Sequence, residues 1–432
     1  MSKKINLVYE WLGPNGPISN NKLPTAGDFM MAQTDAHFQY MKSDFYQKPH
    51  YYTRVKDCRL VSSHQLSTED FLYEINFHLY HYRDLMHNFH PADGLLDQNQ
   101  IHHEVLDRVK NKTAYILITQ LFEGYMQDEF LKAMGNYFKA KQIPLSQIIY
   151  LTNCGNGNTV YEAFCKKNNL PVEMNMEYLP TFRVDRANIG EAIVESVATE
   201  YVPGPRLRTF LCFNRRYNDH RLLTFLFLSK KNLLDRCYIS MSKTQPESNS
   251  TFKENIKYLL SKINPHDITP NDVIEADNKL PLVLDSEDFS RYPMEQTIDP
   301  VRDLYKNSLV NIVTETYFFN NIIHITEKTY KPIAFMQPFV MIGSYASLKH
   351  VKEMGFKTFG DFWDESYDLE QDDLKRFTMV TNIIEHIASW TEEQQIEFTY
   401  KVKAIVEYNA NHLNSMPNKE IDDFIEKYGR EE

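Results

Sequence analysis

Ile325-Thr326-Glu327-Lys328-Thr329-Tyr330-Lys331-Pro332 follows one apolar run, Phe318 to Ile325, and precedes another, Pro338-Phe-Val-Met-Ile-Gly343. The first run reads as the end of a strand, the stretch after it as the start of a helix, and the second run as the next strand. An acid and a base, Glu327 and Lys328, thus stand side by side at a strand end. In an open α/β sheet, ligands bind at the carboxyl ends of strands. A helix start there adds free backbone N–H groups that suit phosphate. A glutamate accepts two ribose hydroxyls at once, and a lysine neutralises a diphosphate.

Working outward, Phe210-Leu-Cys-Phe-Asn-Arg-Arg-Tyr-Asn-Asp-His-Arg221 lies upstream, and Gly355-Phe-Lys-Thr-Phe and Asp361-Phe-Trp-Asp-Glu-Ser-Tyr-Asp368 lie downstream. The order Thr-Glu-Lys, a proline-marked turn, then Pro338-Phe with Gly343 resembles the donor-site motif of GT-B glycosyltransferases. It is most similar to the α1,3-fucosyltransferase family and to glycosyltransferase-like proteins of phages and large viruses. The upstream and downstream motifs resemble features of the viral proteins, so the likeness spans roughly residues 205–375. The opening Tyr9-Glu-Trp-Leu-Gly-Pro-Asn-Gly-Pro17 resembles phage-encoded relatives.

That resemblance implies an α/β protein of GT-B type, two Rossmann-like domains facing across a cleft. The expected division is an acceptor-binding domain over 1–203, a nucleotide-sugar-binding domain over 204–390, and terminal helices over 391–432 that pack back on the first domain. In the fucosyltransferase-like pattern, an arginine from an earlier strand end and the lysine of the Thr-Glu-Lys triplet grip the phosphates. Arg216 is the best match, with Arg215 and Arg221 beside it; Thr326, Glu327 and Lys328 form the triplet. Glu315 stands where the family has an acid, but Thr314-Glu315-Thr316 departs from the family's "FENS".

The residue pattern supports the alternation. Ile5–Trp11, Ala114–Thr119 and Gln147–Thr152 read as strands. Helices are expected over 27–41, from the Ser67-Thr68-Glu69-Asp70 cap through Tyr82, to Ala140 and to Asn168. Tyr201-Val-Pro-Gly-Pro205 is the linker candidate, and a second α/β unit starts at Thr209. Residues 243–280 read as polar and turn-rich, Val310–Val313 and Phe339–Ile342 as strands, and the last forty residues as helices.

Composition sets the class. The chain has 432 residues, 42% hydrophobic and 24% charged, the balance of a globular protein of two domains. No apolar span is long enough for a transmembrane helix, and Met1-Ser-Lys-Lys runs into a strand-like segment with no signal-peptide core. Five scattered cysteines read as reduced thiols, so a cytoplasmic protein is expected, in the host cytoplasm if a phage encodes it. The formal net charge of −11 disfavours a dedicated nucleic-acid binder. Charge is uneven: Arg206, Arg208, Arg215, Arg216, Arg221, Lys230 and Lys231 crowd residues 201–231, and residues 361–373 carry acids and no base. The acidic run reads as solvated surface and caps, with Asp364 and Glu365 as ligand candidates. The basic run suits an anionic ligand.

Glycosyl transfer also needs a general base. Glu123, beside Gly124 at a strand end, is the first choice; Asp28, Glu10 and His220 are the others. No metal is expected: there is no Asp-x-Asp motif, and His78, His81, His102 and His103 lack partners at ligand spacing. A nucleotide-diphosphate sugar is thus the only co-substrate expected. The acceptor stays open between hydroxymethylcytosine in duplex DNA, which T-even-like phages glycosylate, and a glycan or lipid-linked sugar. For DNA, Lys42, Lys48, Arg54, Lys56 and Arg59 with Tyr51 and Tyr52 suit phosphate contact and base stacking. A catalytically inactive GT-B fold acting as a binding module is the non-enzymatic alternative.

Overall fold

The computed structural model describes residues 3–9, 12–13, 16–17, 58–62, 71–76, 103–120, 124, 126–180, 200–214, 216–245, 249–263, 268–284, 298–417 and 419–431. The chain divides into two compact units, Met1–Ala187 with Pro417–Glu432, and Asn188–Met416. Each is built on a mainly parallel sheet with helices between the strands.

In the first unit, β1 (Lys3–Tyr9) is followed by a minimal ribbon of β2 (Leu12–Gly13) and β3 (Gly16–Pro17). Then come β4 (Cys58–Ser62), β5 (Phe71–Asn76), β6 (Ala114–Gln120), β7 (Ile148–Thr152) and β8 (Asn175–Tyr178). β1 pairs in parallel with both β4 and β5, and β5, β6, β7 and β8 continue in parallel register. The run Ile148-Ile-Tyr-Leu-Thr152 is buried throughout, as a strand covered on both faces must be. Helices α1 (His103–Lys110), α2 (Asp128–Ala140) and α3 (Gly157–Lys167) supply crossovers. α2 buries Phe130, Leu131, Met134, Tyr137 and Phe138, the spacing of a single helical face.

One expectation is overturned here. The Ser67–Asp70 signal predicts a helix through Tyr82, yet Phe71–Asn76 is a central strand. Phe-Leu-Tyr-Glu-Ile is rich in residues that fill a pleated surface, and pairing with β1 and β6 outweighs a capping signal of about 1 kcal/mol. The expected helix over 27–41, the basic stretch from Lys42 to Lys56, and Glu10, Asp28, His78, His81, His102 and Glu123 lie outside the described residues.

The second unit holds β9 (Arg208–Phe213), β10 (Cys237–Ser240), β11 (Ser308–Thr314) and β12 (Phe339–Ile342), in the order β10-β9-β11-β12 and all parallel. The chain leaves β9 to one side for β10 and returns on the other for β11, so the topology switches between β9 and β11. α4 (Asp219–Lys230) joins β9 to β10 and is buried from His220 to Ser229. It is buried all round because α5 (Phe252–Lys262) and α6 (Pro270–Asn278) pack over it. The region that reads as polar and turn-rich thus contains two helices, each opened by a capping box, Thr251 with Glu254 and Thr269 with Asp272.

The chain continues through α7 (Ile298–Lys306), α8 (Glu327–Ala334), α9 (Ser347–Glu353), α10 (Asp373–Ala388) and α11 (Glu392–Ser415). α12 (Lys419–Tyr428) and β13 (Arg430–Glu431) then return to the first unit, where β13 pairs antiparallel with β1. Lys427 and the Tyr428 hydroxyl both donate to Glu177, each at 2.6 Å. α11 belongs with the second unit. It receives Gly204 N–H on Thr399 Oγ1 at 2.9 Å and Tyr201 N–H on Glu407 at 3.3 Å, so the Tyr201–Pro205 segment is tied down along it.

α11 also fixes the turn that carries Gly355-Phe-Lys-Thr-Phe. Asn409 accepts Lys357 N–H and donates to Lys357 C=O, both at 2.8 Å, and His412 Nε2 donates to Met354 C=O at 2.8 Å. Gly355 has φ +91°, and a Cβ there would lie 2.6 Å from His412 Nε2. Gly355→Ala should therefore lower the urea midpoint of the second unit by the equivalent of about 1–3 kcal/mol, the scale of one strained backbone position. Equilibrium unfolding followed by tryptophan fluorescence checks this.

Candidate functional site

β9 and β11 end side by side at the topological switch, where side chains past their last residues converge. Asn214 follows β9 and is fully buried; its Oδ1 accepts the Thr314 hydroxyl at 2.6 Å and so ties the two strand ends together. Beyond Thr314 the chain does not run on as a strand. Phe318–Ile325, which reads as a strand end, is irregular, and the strand is the earlier Ser308–Thr314. Asn320 Oδ1 caps Ile322 N–H at 3.0 Å, which turns the segment, and apolar burial of Phe318, Ile322, Ile323 and Ile325 anchors it. Arg376, also buried, clasps it: the guanidinium lies over Phe318, 4.6 Å from the ring centre, and donates to Phe318 C=O at 2.8 Å, Glu370 C=O at 2.8 Å and Gly343 C=O at 3.3 Å.

Glu315 is the junction. It is 1% exposed. Its Oε1 accepts Thr326 N–H at 3.1 Å and the Thr329 hydroxyl at 2.5 Å; its Oε2 accepts the Thr326 hydroxyl at 2.6 Å and Thr316 N–H at 3.3 Å. Its backbone N–H reaches Ile342 C=O at 3.0 Å, at the end of β12. Its carbonyl takes the His220 ring at 2.7 Å. A carbonyl only accepts, so His220 carries its proton on Nε2. Burial, and then the neighbouring Arg221 charge, hold His220 down at about 3, so the ring is neutral.

This junction sets the start of α8. Thr326 is the N-cap, extended at φ −118°, and Glu327 and Lys328 open the helix. Lys328 Nζ donates to Thr326 Oγ1 at 3.2 Å and to Glu327 Oε1 at 3.0 Å. Burial pushes the Glu327 carboxyl up, but Lys328 and Lys331 outweigh it and hold the group at about 2, so Glu327 is ionised. Arg221 is buried on α4 and donates to Thr314 C=O at 3.2 Å. Burial pulls Arg221 below its usual range, while the charges of Glu327 and Glu315 support it and that of Arg216 opposes it. Arg216 is exposed just past the β9 end.

Of the residues singled out in the sequence, Arg216, Arg221, Glu315, Thr326, Glu327 and Lys328 thus cluster at this switch, while Arg215, Glu123 and Asp28 lie outside the described residues. Glu315 has its oxygens filled by the α8 start, and the Thr326 hydroxyl is likewise engaged. Asp364 and Glu365, the ligand candidates of the acidic run, are engaged within the chain. Asp364 caps Ser366 N–H at 2.9 Å, and Glu365 accepts Phe359 N–H at 2.8 Å, the Thr358 hydroxyl at 2.6 Å and Lys352 at 2.9 Å. Asn214, Thr329 and Arg376 escape the sequence reading. For Asn214, the signal was a polar residue directly after a strand of buried apolar residues. Among the described residues, no group of three or more His, Cys, Asp or Glu side chains is placed to hold a metal ion.

The arrangement offers cations to an anion, with an ionised carboxylate beside them to accept hydroxyls. No protein-family model and no curated protein matches the chain. Among solved structures, it is similar to a UDP-forming α,α-trehalose-phosphate synthase from Burkholderia xenovorans, at 10% identity and a TM-score of 0.44 over 99% of each chain.

His220 gives the site a pH signature. In the unfolded chain a histidine titrates near ~6.5, whereas here it stays neutral down to about 3. Between these values the unfolded chain binds the extra proton, so stability falls as pH drops from the upper value to the lower. His220→Gln, which keeps a donor for Glu315 C=O and does not titrate, should remove up to about 1.4 kcal/mol per pH unit of that slope. Urea unfolding at pH 4.5, 5.5 and 6.5 measures it.

Proposed function

We propose that this chain is a GT-B-type glycosyltransferase, which moves a sugar from a nucleotide-diphosphate sugar to a hydroxyl acceptor. The observation that carries the reading is the pairing of ionised Glu327 with Lys328 at the first turn of α8, beside Arg221 and the switch between β9 and β11. Supporting it is the resemblance of this stretch to a glycosyltransferase donor motif. In the reaction, the bond between the sugar's anomeric carbon and the diphosphate breaks, and the acceptor oxygen bonds to that carbon. The nucleoside diphosphate leaves with the electron pair, and a base takes the acceptor's proton. Lys328, with Arg216 and Arg221, would neutralise the developing charge on the leaving diphosphate. Glu327 would accept the ribose hydroxyls. The base is assigned to Glu123, with Asp28 second, on the sequence alone.

Lys328→Ala should weaken nucleoside-diphosphate binding and turnover about 10- to 100-fold, the scale of one charge-assisted hydrogen bond. Its urea midpoint should shift by less than about 1 kcal/mol, because the ammonium is near the surface. A thermal-shift screen of nucleotide sugars locates the donor, since a ligand at 100 times its dissociation constant adds about 2.7 kcal/mol. Wild-type binding of no nucleoside diphosphate would sink the reading. Binding without transfer or donor hydrolysis would leave a binding module.

Turnover should also be the same with and without EDTA, as cationic side chains would do the work a metal does elsewhere. Activity lost to chelator and restored by Mn²⁺ would overturn this. For the acceptor, the finer reading is hydroxymethylcytosine in duplex DNA, resting on the basic, tyrosine-bearing stretch 42–59. Nucleoside digestion and mass analysis of treated DNA should then show an added sugar mass. Modification of a glycan in place of DNA would assign the alternative acceptor.

A further inference from the structure

Glu315 is a buried acid that the transfer chemistry does not use. The direction of its hydrogen bonds gives it a task. Thr326 has one hydroxyl proton, and Glu315 Oε2 lies 2.6 Å from that hydroxyl oxygen. Oε2 also receives Thr316 N–H, and Oε1 receives Thr326 N–H, so both oxygens act as acceptors. The Thr326 proton therefore points at Glu315. That leaves Thr326 Oγ1 with lone pairs facing the other way, where it accepts Lys328 Nζ at 3.2 Å and Lys328 N–H at 3.4 Å. The chain of donors runs Lys328 to Thr326 to Glu315 in one direction only.

The lysine's own inventory completes the case. An ammonium has three donors. Thr326 takes one and Glu327 Oε1 takes another at 3.0 Å. The third has no partner among the described residues, and the side chain is 26% exposed. With two donors held and the side chain partly exposed, the third donor is left for an anion to take.

We propose that Glu315 is a positioning residue, which aims Lys328 at a diphosphate by polarising the Thr326 hydroxyl. This rests on the donor-site reading given above for its ligand, but the aiming of Lys328 is a property of the free protein. Replacing the carboxylate by an amide puts N–H donors against Thr316 N–H or Thr326 N–H, and the Thr326 hydroxyl loses the charged acceptor that polarises it. Replacing Thr326 by valine removes the link and leaves Glu315 in place. Thr326→Ser retains it.

The test has two arms. In the free protein, competitive labelling with trace acetic anhydride, read by peptide mass spectrometry, reports the reactivity of Lys328 against the other lysines. Glu315→Gln and Thr326→Val should each change Lys328 labelling severalfold, with the remaining lysines unchanged, and Thr326→Ser should match wild type. Urea midpoints identify any variant that has lost its fold; Thr326→Val tests the link itself, and Glu315→Asp, which draws the carboxylate back from the Thr326 hydroxyl, tests Glu315 if Glu315→Gln does not fold. In the second arm, calorimetry measures UDP, GDP, ADP and inorganic pyrophosphate. Thr326→Val should weaken the ligand that wild type binds about 5- to 30-fold, and should add little to Lys328→Ala, since both cut the same link. Unchanged labelling in a folded Thr326→Val protein overturns the proposal. So does full additivity with Lys328→Ala. Shifted labelling with no diphosphate bound by wild type would leave the positioning intact and remove the donor-site reading.

Discussion

Burying a carboxyl group is costly unless its lone pairs are filled, and the second unit is arranged around filling those of Glu315. Two backbone N–H groups and two threonine hydroxyls converge on it, and Arg221 feels its charge. The same residue joins the end of β12 through its N–H and α4 through its carbonyl. Four elements thus take their relative places at one side chain: the end of β11, the end of β12, the first turn of α8 and the first turn of α4. The low dielectric that makes an unpaired group so expensive also makes a filled one rigid. Residues that contact the solvent from this junction, Glu327 and Lys328, inherit that rigidity.

Part of this was legible in the sequence. The strands at Ile148 and Ser308 show because continuous apolar runs bounded by turns have few other readings. The Thr-Glu-Lys stretch marked a helix start because it stands between two apolar runs, and Thr326 is indeed the N-cap. What stayed hidden was tertiary. Phe71–Asn76 follows a good helix cap and is still a strand, since the edges of β1 and β6 decide it. The irregular path from Glu315 to Ile325 depends on Arg376, which lies fifty residues and more downstream and carries no local signal. α5 and α6 were readable from their capping boxes, and the polar character of the surrounding segment masked them.

The two downstream motifs have a structural account. Gly355 sits in a turn that only a residue without a Cβ fits, under the His412 ring. Asp368 accepts Leu348 N–H at 2.8 Å and Lys349 N–H at 2.7 Å, so it caps α9 from a distance in sequence, and Asp372 caps α10. Asp368 and Asp372 of the acidic run are therefore helix-start partners, placed where the dipole favours negative charge. Motifs with a likeness to a catalytic family can hold backbone geometry as readily as substrate.

The return of α12 and β13 to the first unit makes the second unit, in chain order, an insertion within the first. The first unit's last pieces leave the ribosome only after residues 188–416 have been made, which takes roughly 10–45 seconds at ~5–20 residues per second. Throughout that interval Lys3 and Lys4 of β1 have no antiparallel neighbour, and Glu177 lacks both of its donors. The inserted unit has all the described strands of its own sheet, β9 to β12, by then. The order of synthesis thus leaves the start of β1 unpaired at Lys3 and Lys4, while β4 already covers Ile5–Tyr9.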